Sequence, residues 1–340
     1  MKHALIFSIF SISLLGLLSC NKQEASAPLE EGKSVQRSAI EFCLEPDAAM
    51  IAETKSATIA AEGAINNFQI LVFNPNGMID AYGSTTADKI SIKISKADNM
   101  TCYAVVNSSE DLSTISSKSA LLAKMSYLKN NSLSGLEMIG SVTKDMSAAT
   151  TCSIPVTRYA AKVSINKITP AFTNTAHQGM EFKIVSMYLI NVNGQCPYSQ
   201  TPGTLSWYNQ LKYVSGDCNA LISEQGINKV ITASSPLTTP HYFYCYANPT
   251  TTDTEGGTSF TARPTRLVIE TTLGGTTYYY PITIVGKSNT LNCNTSYEVT
   301  NLKITGLGSS SPDVTPKKGS ISFTVKATDW TTGFSKEVEY

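Results

Sequence analysis

Phe68-Gln69-Ile70-Leu71-Val72-Phe73, running into Asn74-Pro75-Asn76-Gly77, is the stretch from which the fold reads outward. Six residues rich in β-branched and aromatic side chains, closed by four turn formers, describe a buried strand entering a hairpin. Downstream, Lys89-Ile90-Ser91-Ile92-Lys93-Ile94 alternates apolar and polar positions, and Cys102-Tyr103-Ala104-Val105-Val106 is a short apolar run. Both fit a half-buried sheet. Upstream, Ser38 to Glu45 alternates so that Ile40, Phe42 and Leu44 share one face, which reads as a first strand. Between it and Phe68 lies a weak, small-residue segment, Pro46 to Asn67.

Almost no stretch sustains a helical period. The clearest helix candidate spans Ser109 to Leu128, with Ser109 or Asp111 as N-cap and Leu112, Ile115, Leu122 and Met125 on one stripe, where it would cover a sheet. The long run Ile154 to Ile165 could leave one domain and enter another, and we place the boundary near Val156. Beyond it, Phe182–Val192, Tyr242–Tyr246, Arg266–Thr272, Thr277–Ile284, Ser296–Ile304 and Ser320–Ala327 read as strands. The expected fold is mostly β, with two tandem β-sandwich domains and a short helix on the first. A chain of 340 residues suits two such cores better than one.

Charge narrows function. Lys plus Arg and Asp plus Glu each total 26, so the net charge is zero and nothing forms a footprint for nucleic acid. Charged residues are only 15% of the chain, while Ser, Thr, Asn and Tyr abound, a surface chemistry of extracellular β-proteins. The start of the chain agrees. Lys2 and His3 precede an apolar run from Ala4 to Leu18 that stops at Leu17-Leu18-Ser19-Cys20, which reads as a bacterial lipoprotein signal with Cys20 as the acylated residue of the exported protein. The run is shorter than a comfortable membrane span of about 20 residues.

Taken together these residues resemble the fimbrillins, the major fimbrial subunits of type V pili of Bacteroidales. The resemblance is carried by Cys20-Asn21-Lys22, the Phe68–Asn74 strand with its Asn-Gly turn, and Arg158-Tyr159-Ala160-Ala161-Lys162-Val163. It continues through Arg263-Pro264-Thr265-Arg266-Leu267-Val268-Ile269-Glu270 with Tyr278-Tyr279-Tyr280-Pro281, then Asn294–Val299 and the closing Asp329-Trp330-Thr331-Thr332-Gly333. The resemblance implies transthyretin-like β-sandwich domains and a precursor lipidated (palmitoylated) at Cys20, carried to the outer membrane and polymerised into a surface fimbrium that supports adhesion and biofilm. It further implies that a trypsin-like surface protease removes the lipid anchor and first strand together, opening a groove filled by a C-terminal strand of the next subunit, with anchor and tip proteins as further partners.

On this resemblance the chain divides into a signal peptide, residues 1–20; a spacer and removable first strand, 21–55; an N-terminal domain, 56–156; and a C-terminal domain with a donor arm, 157–340. The removable strand presents Ile40, Phe42 and Leu44. Lys55 is the only basic residue between Arg37 and Lys89 and is the expected cut, although the best-known fimbrillins carry arginine there. Arg37 is the rival, but cutting there would keep the first strand in place. The donor would come from the end of the chain, Ser320–Ala327 onward, or only from Phe334–Tyr340 with Phe334, Val338 and Tyr340 inserting, if Ser320–Ala327 completes its own sheet. Lys317-Lys318-Gly319 after Gly308–Pro312 looks like a flexible lead.

Apart from Cys20 and Cys43, six cysteines remain (Cys102, Cys152, Cys196, Cys218, Cys245 and Cys293), which allows either three disulfides of undetermined connectivity or free buried thiols. None has CxxC spacing, so no structural metal is expected. Of the three histidines, His3 lies in the leader, His177 in a polar loop expected to be solvated, and His241 at a strand end. No catalytic motif surrounds them, so neither an enzyme nor a cofactor is expected. Gly274-Gly275 reads as a hairpin turn rather than a phosphate loop. Competing readings are an outer-membrane glycan-binding lipoprotein that uses Trp207-Tyr208 or Tyr278–Tyr280 as a stacking platform, and an anchor or tip fimbrial subunit with an adhesin role in place of a stalk pilin.

Overall fold

The computed structural model describes residues 37–46, 61–201, 203–217, 220–255, 259–286, 288–330 and 335–339. The strand read first, β2 (Phe68–Phe73), is buried at all six positions. It turns at Asn74–Gly77, where Gly77 N–H donates to Asn74 O at 2.8 Å and Gly77 holds φ at +81°, a conformation that favours glycine. Around it a seven-stranded sheet runs in the order β3 (Ile79–Thr85), β2, β5 (Met100–Val106), β7 (Met138–Lys144), β8 (Thr151–Arg158), β1 (Arg37–Pro46) and β4 (Lys89–Ser95), with β6 (Met125–Tyr127) set apart from it.

The two end strands of this sheet meet. Ser95 donates through its N–H and Oγ to Asp80 on β3, at 2.8 and 2.6 Å, and a Cβ on Gly83 would come within 2.6 Å of Ile92 on β4. The sheet thus curls around an apolar core of Ile40, Phe42, Phe68, Ile70, Val72, Ile94, Cys102, Cys152 and Ile154. The opposite face of β2, Leu71 and Phe73, joins a second core that continues through the remainder of the chain.

That remainder begins at β9 (Ala160–Ile165) and forms two facing sheets. One runs β17 (His241–Tyr246), β9, β20 (Thr295–Ile304), β21 (Ile321–Asp329), β22 (Ser335–Glu339), with β10 (Ile168–Pro170) beside β20. The other runs β15 (Ser223–Glu224), β11 (Phe182–Ile190), β18 (Arg266–Leu273), β19 (Thr276–Thr283), with β16 (Lys229–Val230) beside β11. Val163, Phe243, Tyr297 and Val299 of the first pack against Phe182, Ile184, Leu267, Ile269 and Tyr280 of the second in one core. Short pairs complete the architecture: β12 (Val192–Asn193) with β14 (Trp207–Tyr208), and β13 (Gln195–Pro197) with β6. The mostly β, multi-sheet sandwich expected from the sequence is the observed fold. The hairpin expected at Gly274-Gly275 joins β18 to β19, with φ of +55° and +85°.

The helix differs from expectation. Instead of Ser109–Leu128, α1 covers only Lys118–Leu122, capped by Ser117, whose Oγ accepts from Ala120 N–H at 3.2 Å. Ahead of it, side chains take the backbone donors that a helix would need: Ser108 Oγ accepts from Glu110 N–H, Asp111 Oδ1 from Ser113 N–H and Gln69 Oε1 from Leu112 N–H. Ser, Asp and Gln oxygens competing for backbone N–H groups favour turns over helix. After it, Met125–Tyr127 is drawn into pairing with β13. A second short helix, α2, spans Thr175–Gln178.

Candidate functional site

β1 sits as an insert between two strands. Its first half, Arg37–Cys43, pairs antiparallel with β4, and its second half, Glu41–Pro46, pairs parallel with Thr151–Val156 of β8. The alternation read from the sequence places Ile40, Phe42 and Leu44 inward, exposed by 0, 0 and 8%. Arg37, at the outer end, donates from Nη2 to the carbonyls of Asp80 (2.7 Å) and Lys93 (3.1 Å) and lies 3.6 Å from the Asp80 carboxylate. The Lys89–Glu41 pair at 3.4 Å is solvent-exposed on both sides and adds little. Cys20, Lys55, Phe334 and Tyr340 lie outside the described residues, as does Cys218.

At the entry to β2 the chain is anchored by a charge absent from the sequence-based expectation. Glu62, buried in the small-residue segment, accepts from Lys162 Nζ at 2.9 and 3.2 Å and from the Tyr244 hydroxyl, while Arg158 Nε donates to its carbonyl at 3.2 Å. Lys162 also stands 4.5 Å over the Tyr242 ring, and the Arg158 guanidinium 4.2 Å over Trp330. The Arg158–Val163 and Asp329-Trp330 motifs therefore converge on one buried point that fixes the entry to β2. A lone Glu among alanines was the available signal, and only the fold supplies its partners.

A second buried acid, Glu137, accepts from Ser126 Oγ and from the Tyr198 hydroxyl, which lies 2.5 Å away, and Tyr246 joins through Ser126 and Asn131. Burial pushes the Glu137 carboxyl up, against the opposing pull of its hydroxyl donors. With its folded-state pKa raised, the stability tied to this group is fully present below the ordinary carboxylate pKa and is lost as pH rises through the folded-state value. Melting temperature is accordingly expected to fall from about pH 4 toward neutrality, and Glu137→Gln to flatten that slope. Parallel slopes in the two proteins would refute this.

At the other end of the chain, Ser335–Glu339 forms β22, the last strand of its sheet, pairing with Thr324–Thr328 of β21. β21 itself is held by β20, so Ser320–Ala327 does complete its own sheet, and β22 is an addition at the edge. The Arg263–Glu270 motif serves the fold: Arg263 is paired to buried Asp313, and Arg266 to Asp253 and Glu255 at 2.7 and 3.0 Å.

His241 opens β17 with Nδ1 2.7 Å from Glu224, and His177 is half-buried against Phe172 rather than fully solvated, with ring centroids 6.0 Å apart. Trp207 packs edge-on against Phe260, and Tyr280 lies in the core. Among the described residues, no cluster of three or more His, Cys, Asp or Glu could hold a metal ion, and no helix is long and apolar enough to cross a membrane.

The described architecture is the fold of the fimbrillins and of adhesion proteins that share it. The chain is similar in structure to a candidate cell adhesion protein from Bacteroides eggerthii, with a TM-score of 0.63 and 17% identity over 87% of this chain and 96% of that one. It is similar to a fimbrilin, FimA, from Porphyromonas gingivalis, with a TM-score of 0.59 and 17% identity over 87% and 98%. It is also similar to the tip fimbrial protein Mfa3 from Porphyromonas gingivalis, with a TM-score of 0.52 and 14% identity over 86% and 100%. No protein-family model and no curated protein sequence matches the chain.

Proposed function

We propose that this chain is a structural subunit, a stalk pilin, of a cell-surface fimbrium. It is exported as a lipoprotein precursor acylated at Cys20 and held at the outer membrane. A trypsin-like surface protease cuts after Lys55, and the released piece carries away the lipid and β1. The mature subunit then comprises domains 56–156 and 157–340, and it polymerises by donor-strand exchange with other fimbrial subunits, including anchor and tip proteins.

The observation that carries this reading is the seat of β1. It is the shared ladder partner of β4 and of Thr151–Val156, it fills the core with Ile40, Phe42 and Leu44, and it is followed by the segment containing Lys55. Removing it would leave two unpaired strand edges around an apolar slot, which is a template for an incoming strand. β22 supports the donor role, since an edge strand leaves its sheet without disrupting the β20–β21 ladder. Its Val338, together with Phe334 and Tyr340, would occupy the positions that Ile40, Phe42 and Leu44 vacate. A cut at Arg37 would instead leave β1 seated, which favours Lys55.

The test is trypsin treatment of the precursor followed by intact mass and electron microscopy. One dominant cut after Lys55 should precede high-mass ladders and fibres, and Lys55→Ala should yield neither. Normal fibres from Lys55→Ala would sink the proposal.

A further inference from the structure

β17 is the end strand of its sheet, and it borders a cavity of about 430 Å³. Three parts of the chain line that cavity: the loop after β6 with Ser132 and Leu133, the β15 region with Leu221 and Glu224, and the start of β17. Neither Trp207-Tyr208 nor Tyr278–Tyr280 contributes to it. Its size lies within the range of small-ligand sites, and its walls are mostly apolar, with Leu133, Leu221, Pro240, Tyr242 and Tyr244. Leu133 is exposed despite its size.

A polar pair interrupts these walls. His241, 7% exposed, holds Nδ1 2.7 Å from Glu224 Oε2. An ionised carboxylate can only accept, so Nδ1 carries the proton and Nε2 of the neutral ring is an acceptor. That second ring nitrogen is buried and has no hydrogen-bond partner among the described residues. A buried acceptor left unpaired costs free energy that a donor entering the cavity would restore. Glu224 lines the same cavity with its side chain half-exposed, so its carboxylate can accept from a ligand as well.

Two acceptors beside apolar walls select among ligand classes. A wholly apolar molecule would desolvate the carboxylate and leave Nε2 unpaired. A cation would meet a Tyr242 ring that already carries the Lys162 ammonium, 4.5 Å from its centroid. A pyranose brings what is missing: neighbouring hydroxyls that donate, and a C–H face that packs on aromatic and aliphatic side chains. Ser132 and Thr239, both exposed, add hydroxyls of their own to the lining.

We infer that this cavity binds a neutral pyranoside, with His241 Nε2 and the Glu224 carboxylate accepting from its hydroxyls and with Leu133 and Tyr242 packing against its C–H face. The site belongs to the folded chain and does not depend on the maturation proposed above.

The test titrates the methyl pyranosides of D-glucose, D-mannose, D-galactose and L-fucose into the purified full chain by saturation-transfer NMR, alongside p-cresol and n-butylamine. The expected result is saturable binding of at least one glycoside, weakened about tenfold by Glu224→Gln and by His241→Phe, the effect of losing a hydrogen bond to a charged or buried group. Because Glu224 is half-exposed, its variant keeps the test decisive even where His241→Phe fails to fold; melting temperatures show which variants are folded. Binding of none of the glycosides, or binding undiminished in Glu224→Gln, would overturn the site. Binding of p-cresol alone, or of n-butylamine alone, would overturn it in favour of an apolar or a cationic ligand. Fibres from a chain that binds no sugar would sink this site and leave the maturation proposal standing, whereas a sugar-binding chain that never polymerises would do the reverse.

Discussion

Phe42→Ala is expected to destabilise the uncut precursor by about 3–5 kcal/mol, the range for truncating a large aromatic side chain in a packed core. Phe42 is wholly buried, packed in the interior of the curled sheet and centred between Ile40 and Leu44. The removed ring leaves a cavity that neither the β4 nor the β8 ladder can close without breaking register. At about 2–4 °C per kcal/mol, the precursor melting temperature should drop by roughly 10 °C. On the proposed maturation the same substitution should leave the assembled fibre unchanged, because there the residue departs with the released piece. Thermal unfolding of precursor and fibre, wild type against variant, checks both halves. An unaltered precursor would mean that β1 is not seated as described, and a weakened fibre would mean that β1 stays in the mature subunit.

Lys162→Met addresses the entry to β2. Lys162 and Glu62 are both almost fully buried, 2.9 Å apart, and the Tyr244 hydroxyl also donates to the carboxylate. Removing the ammonium strands a buried carboxylate, for which about 3–5 kcal/mol is the usual penalty. The segment from Glu62 to Asn67 should then open, so hydrogen exchange should accelerate there and in β2 before it does in β18 or β19. The double variant Glu62→Gln, Lys162→Met removes both charges and should recover most of the loss, since replacing a buried pair is far milder than breaking one. A single variant no less stable than the double one would show that the pair does not anchor the entry to β2.

Much of this molecule is legible in one dimension because strand chemistry is local. The period of two in Ser38–Glu45 assigned Ile40, Phe42 and Leu44 to one face, and the structure buries those three side chains. The turn residues at Asn74–Gly77 and Gly274-Gly275 mark real hairpins for the same reason, since each meets a backbone requirement within four residues. The helix failed in the region where local chemistry was ambiguous. The apolar stripe from Leu112 to Met125 exists, but Ser108, Asp111 and the distant Gln69 compete for the backbone donors, and Met125–Tyr127 gains more by pairing with Gln195–Pro197.

The sequence by itself determined the β class, the inward face of Ser38–Glu45 and the turns at Asn74–Gly77 and Gly274-Gly275, all of which follow from side-chain period and backbone propensity. Only the tertiary structure decided which strands are neighbours. Nothing local requires β1 to insert between β4 and β8, or Glu62 to find Lys162 one hundred residues away. Those contacts depend on closing long loops around a common core, and the free energy that selects them is shared by the whole sheet rather than encoded in any one stretch.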